Sequence, residues 1–138
     1  MAVFAVSFSL TGFASVVTSR SLNSSGQLNV TAGLEVFADA NCLFPLSSID
    51  WGSMSPGNNV TRVIYVKNTG EHLSLTLGLQ TSGWVPVDAE DFLSLVWNQE
   101  GVKLMPGQVV AAVLTLRIPN NVVDITNFNV QITIIGVN

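Results

Sequence analysis

Charge is what this chain has least of. Lys, Arg, Asp and Glu together make up 10% of its 138 residues, against roughly 25% in ordinary soluble domains. The five Lys and Arg do not cluster and the net charge is −4. No basic patch is on offer to neutralise phosphates, which argues against nucleic acid as a partner. Cysteine occurs once, as Cys42. A single thiol closes no intrachain disulfide, and no Cys/His spacing suits zinc. Cys42 reads as a small, buried, reduced hydrophobe. Histidine also occurs once, as His72 in Thr69-Gly70-Glu71-His72. It reads as an exposed turn residue, because a catalytic base needs a nucleophile and an orienting acid, and no GxSxG elbow is present. Gly101 and Gly107 lie in separate turns and form no phosphate loop. Asp88, Glu90 and Asp91 lack the spacing of a calcium loop and read as a solvated connector. These absences lead to the expectation of a non-enzyme with no cofactor and no metal.

What the chain does have is an uncharged N-terminal stretch, MAVFAVSFSLTGFASVV, over residues 1–17, with Arg20 the first charge. Such a stretch usually marks an export signal. Read instead as part of the mature chain, it has to be buried in lipid or in other protein. Val3, Phe4, Val6, Phe8, Leu10, Gly12, Phe13, Val16 and Val17 are then the assembly residues. Val6, Phe8 and Leu10 alternate with Ser7, Ser9 and Thr11, as in a strand. Val6, Leu10, Phe13 and Val17 also fall near one another on a helix. The helix is favoured, because Ala2-Val3-Phe4-Ala5-Val6 is apolar on both faces and the segment has no Pro. A donated strand is the alternative. Seventeen helical residues span about 25 Å, slightly short of a bilayer core.

Residues 18–26 read as a polar connector. From residue 27 the period of two that marks strands recurs. Leu28, Val30, Ala32, Leu34 and Val36 alternate with polar or small residues. Ile49 and Trp51 end at the turn Ser55-Pro56-Gly57-Asn58. A strand over residues 60–66 follows, then a turn at Lys67-Asn68-Thr69-Gly70-Glu71. Leu73, Leu75, Leu77 and Leu79 form the clearest half-buried strand, broken at Gly83-Trp84-Val85-Pro86. Val87-Asp88-Ala89-Glu90-Asp91 suits one helical turn. Phe92, Leu93, Leu95 and Trp97 follow, and Met105-Pro106-Gly107 turns the chain into residues 109–118. Phe128, Val130, Ile132 and Ile134 form the last strand. The pattern predicts a mainly β protein: a seven-stranded, immunoglobulin-like antiparallel β-sandwich over residues 27–138, behind an apolar arm and connector over residues 1–26.

The ordered motifs resemble a known group. Leu34-Glu35-Val36-Phe37-Ala38-Asp39-Ala40-Asn41-Cys42 is followed by Ser48-Ile49-Asp50-Trp51-Gly52, Val63-Ile64-Tyr65-Val66-Lys67-Asn68-Thr69-Gly70, Leu95-Val96-Trp97-Asn98 and Leu104-Met105-Pro106-Gly107. This order is similar to that of small archaeal surface-filament subunits with one immunoglobulin-like domain behind an apolar segment. Some of these are type IV pilin-like, with an N-terminal helix in the filament core. Others are thread- or bundling-pilus-like, with a strand that completes the neighbouring sandwich. The charged leader of a type IV pilin is absent, as in a mature chain.

Three N-x-[ST] triplets, at Asn23, Asn29 and Asn59, are candidate glycan acceptors on an exported protein, with Asn23 and Asn59 placed in loops. Trp51 and Trp97 read as core, and Trp84 as an exposed ring able to stack on sugars. The expectation drawn from all of this is a structural, pilin-like subunit of an extracellular filament. It polymerises with itself through residues 1–17, meets the membrane before assembly, and serves adhesion or biofilm formation through surface glycans. The alternative is a membrane-anchored surface domain that recognises carbohydrate or protein.

Overall fold

The computed structural model of the chain describes residues 22–120 and 127–138. The described residues form nine strands and one short helix: β1 (Leu22–Val30), β2 (Leu34–Phe37), β3 (Ser48–Met54), β4 (Asn59–Asn68), β5 (Leu75–Val85), α1 (Ala89–Phe92), β6 (Ser94–Trp97), β7 (Lys103–Leu104), β8 (Val109–Arg117) and β9 (Asn127–Val137). They make two sheets, a five-stranded one in the order β3-β1-β9-β5-β7 and a four-stranded one in the order β2-β4-β8-β6. The architecture is mainly β and consistent with a sandwich.

The periodicity that builds the sandwich is plain in β9. Phe128, Val130, Ile132 and Ile134 are buried, while Asn127 before them and Asn129 and Gln131 between them are exposed. β8 does the same from the other sheet with Ala112, Leu114 and Leu116, and Ile118 continues the series. Both inner faces meet in one core that also takes in Trp51, Ile64, Val66, Leu77 and Leu104. Each such side chain contributes about 1.5–3 kcal/mol when fully buried.

Several expectations are revised. Nine strands are present among the described residues, not seven. β7, two residues long, and the division of the predicted 28–36 strand supply the additional pieces. That division occurs because Leu34 N–H donates to Thr31 O and Gly33 takes φ +91°, so the chain turns after Val30 and enters the other sheet as β2. The pairing is not wholly antiparallel, since β1 runs parallel to β9, with Asn23 beside Asn127 and Val30 beside Ile134. Leu22 to Gly26, read as part of a connector, is the first half of β1. Its polar composition hid it, because the position packed against Trp51 and Ile132 demands a small residue. A Cβ on Gly26 would lie 2.9 Å from Ile132 Cδ1 and 3.5 Å from Trp51 Nε1. The strand at Leu73 starts two residues later, leaving Leu73 exposed, and runs on to Val85 through an irregularity between Ser82 and Val85. Residues 1–17, with the helix and donated-strand alternatives for them, lie outside the described residues.

Candidate assembly surfaces

β1 sits inside its sheet, between β3 and β9. Its first residue, Leu22, pairs with Met54 at the end of β3, and Asn23 pairs with Asn127 at the start of β9. Val85, the last residue of β5, lies beside Asn129 at the same end. The described chain therefore begins at this end, in the strand next to the β3 edge. All nine assembly residues named from the sequence, from Val3 to Val17, lie outside the described residues.

The edges of both sheets are capped in part. An edge offers unpaired N–H and C=O groups to any passing strand unless it is short, covered or capped. At β3, the Arg62 guanidinium reaches across from β4 and donates to Asp50 O (3.1 Å) and Trp51 O (3.0 Å). At β2, the following loop folds back, with Ala38 N–H to Phe44 O and Leu46 N–H to Val36 O, both 2.9 Å. β6 covers only part of β8, from Leu114 to Arg117. Beyond it, side chains stand in for a strand: Asn98 Oδ1 accepts from Val113 N–H (2.9 Å) and Gln99 Nε2 donates to Ala111 O (2.8 Å). At β5, Leu77 N–H donates to Val102 O and Leu79 N–H to Glu100 Oε1, which also holds Trp97 Nε1 at 2.7 Å. No strand covers β5 from Gln80 to Val85 on the side away from β9, and the remaining edges belong to β6 and β7, four and two residues long.

Both outer faces mix polar and apolar residues. On the five-stranded sheet Gln27 lies beside Gln131, Asn29 beside Thr133, and Ser82 on the other side of Gln131, with Val85 (60% exposed) and Val137 (59%) on the same face. On the four-stranded sheet the apolar residues lie towards the centre. Val63 lies opposite Val113, Tyr65 opposite Ala111, and Val96 opposite Thr115. Val63 is 49% exposed and Val96 41%. The charged residues on that face lie towards its ends, with Glu35 paired to Lys67 at one and Arg117 at the other. No protein-family model, no curated protein and no solved structure matches this chain.

The other sequence-predicted sites are scattered. Asn29 is exposed in β1, and Asn59 is exposed at the head of β4. Asn23 lies inside β1, not in a loop. Trp51 is buried as expected and Trp97 is packed against the core. Trp84 is 7% exposed, contrary to the reading of a free ring. The irregularity in β5, with Gly83 at φ +62°, turns Trp84 inward onto Phe128 at a centroid distance of 6.2 Å and leaves Val85 outside. A ring so placed gives no stacking platform for a sugar. Cys42 is free and only half-buried, in the β2–β3 loop and not in the core. It takes φ 58°, while the Asp39 carboxylate accepts from Leu43 N–H and Phe44 N–H. His72 is exposed after β4, and Asp88, Glu90 and Asp91 are exposed around α1. Among the described residues no cluster of His, Cys, Asp or Glu could hold a metal ion, and no helix is long and apolar enough to cross a membrane.

Sequence reasoning missed the polar residues that organise the body. Asn68, fully buried, donates from Nδ2 to Leu73 O (2.8 Å) and Leu104 O (3.0 Å) and accepts from Gly70 N–H (2.9 Å). It ties the β4–β5 loop to β7. Its place at the end of an alternating strand, just before Thr69-Gly70, marks it only as a turn residue.

Proposed function

We propose that the chain is a structural, pilin-like subunit of an extracellular filament, polymerising through residues 1–17, with adhesion or biofilm formation as its role. The observation that carries this reading is an uncharged, largely apolar arm joined to a body whose core is filled by its own strands. Apolar area stabilises by about 25 cal/mol per Å² when removed from water. An arm of this composition therefore seeks cover, and copies of itself supply it. A packed helical arm is preferred to a donated strand, because Ala2-Val3-Phe4-Ala5-Val6 is apolar on both faces. The immunoglobulin-like kinship, the surface location and glycosylation at Asn23, Asn29 and Asn59 belong to the same proposal. So does association with the membrane before assembly. The low charge supports it as well, since few groups titrate or respond to salt outside the cell.

Negative-stain electron microscopy of the purified full chain tests the reading. Filaments of uniform width are expected. Dispersed or micellar particles would instead favour a membrane-anchored surface domain that recognises carbohydrate or protein.

A further inference from the structure

We infer that Asn59 is the acceptor of an N-linked glycan on the folded chain, and that Asn23 and Asn29 are acceptors only before β1 is in place. This deepens the proposed function and rests on its reading of the chain as exported. Transfer needs the Asn amide and the hydroxyl two residues on to enter one active site together. The triplets Asn23-Ser24-Ser25, Asn29-Val30-Thr31 and Asn59-Val60-Thr61 carry the same chemistry, and the fold treats them differently.

Asn59 opens β4, directly after a turn in which Asn58 N–H donates to Ser55 O (3.2 Å). Asn59 and Thr61 are both exposed, and residues i and i+2 of a strand stand on one face. Neither side chain makes a hydrogen bond among the described residues. Val60 between them packs against the core, which holds the triplet in place without using its reactive groups. β2 pairs with β4 only from Tyr65 to Asn68, so from Asn59 to Ile64 β8 is the sole strand neighbour. Asn29 is exposed too, but its partner hydroxyl is engaged. Thr31 is half-buried, and its Oγ1 accepts from Gly136 N–H (2.9 Å) while its own N–H donates to Ile134 O (3.1 Å). Asn23 is paired on both sides, with Ser53 of β3 and with Asn127 of β9.

The co-reactant is a lipid-phosphate-linked oligosaccharide. The Asn59 amide nitrogen bonds to the anomeric carbon, and the bond from that carbon to the phosphate oxygen breaks. The oxygen keeps the electron pair, and the amide gives up one proton. Asn59 pairs with Arg117, which pairs in turn with Ser94. The glycan therefore stands at one end of the four-stranded face and keeps that end turned to solvent.

The test is an acceptor assay on the purified, folded full chain. It uses an oligosaccharyltransferase that accepts N-x-[ST] and a polyprenyl-phosphate-linked oligosaccharide, and it is read by peptide mass spectrometry. Synthetic peptides covering residues 20–33 and 57–63 serve as unfolded acceptors, and both should be glycosylated. In the folded chain Asn59 should be modified at least about tenfold faster than Asn29 or Asn23, whose triplets are reached only by local opening. Thr61→Val should abolish modification at Asn59, and Thr61→Ser should retain it. Equal rates at all three positions of the folded chain would overturn the inference. So would an unmodified Asn59 in the folded chain when its peptide is glycosylated. Dispersed particles in the electron microscope would count against the filament alone and leave the acceptor result standing.

Discussion

At the scale of single residues, the body depends on a few positions where size or hydrogen bonding leaves no freedom. Gly26 is one. Its missing side chain makes room for Trp51, which is 1% exposed, and for Ile132. Gly26→Val should lower stability by about 1–3 kcal/mol through overpacking, measured by urea unfolding in the arm-less background. Adding Ile132→Val should restore part of the loss, because Ile132 Cδ1 is the nearest obstacle. Asn68 is another. Asn68→Ala leaves the carbonyls of Leu73 and Leu104 and the N–H of Gly70 without their partner. A single buried group left so costs about 1–3 kcal/mol, so the variant should be less stable by at least that much. His72 makes the contrast. It is exposed in a turn, and His72→Ala should change the unfolding free energy by no more than about 0.5 kcal/mol. Cys42, half-buried in its loop, should label with a thiol reagent in the folded protein without loss of structure. Labelling only after unfolding would return it to the core.

At the scale of elements, the parts legible in the sequence were those where one face is wet and the other dry. β9 and β8 show this directly, as their alternation of Ile, Leu, Val and Phe with polar or small residues matches burial position by position. The helical turn at α1 was legible from its acidic run. The first half of β1 was not, because its inward positions include Gly26 where a hydrophobe would have signalled a strand. Its parallel pairing with β9 depends on contacts a hundred residues apart, which no local pattern encodes. Trp84 was misread for a related reason: an irregularity reverses the facing of everything after it, and a one-residue slip exchanges inside for outside. The edge caps, Arg62, Asn98, Gln99 and Glu100, are polar residues whose value lies in what they reach, so composition alone did not reveal them. The arm carries its own test at this scale. In a helix packed among apolar neighbours, Gly12 allows close approach, and Gly12→Leu should obstruct assembly. Ser7→Lys should do so as well, by burying a charge at a cost of several kcal/mol. Filaments of normal width from Ser7→Lys, seen by electron microscopy, would favour an extended arm with an outward-facing residue 7.

At the scale of the whole molecule, the chain joins two parts with opposite needs. The sandwich fills its own core and caps part of its edges. The arm has almost nothing to offer water. A body of this kind is proposed to be the wall of a polymer, and the arm its means of joining. The most direct measurement is sedimentation velocity on the chain with and without residues 1–17, at equal concentration and in the same buffer. The account predicts large, uniform assemblies from the full chain and a folded, soluble monomer from the shortened one. Assemblies of the same size from both, or a full chain that stays monomeric, would contradict it.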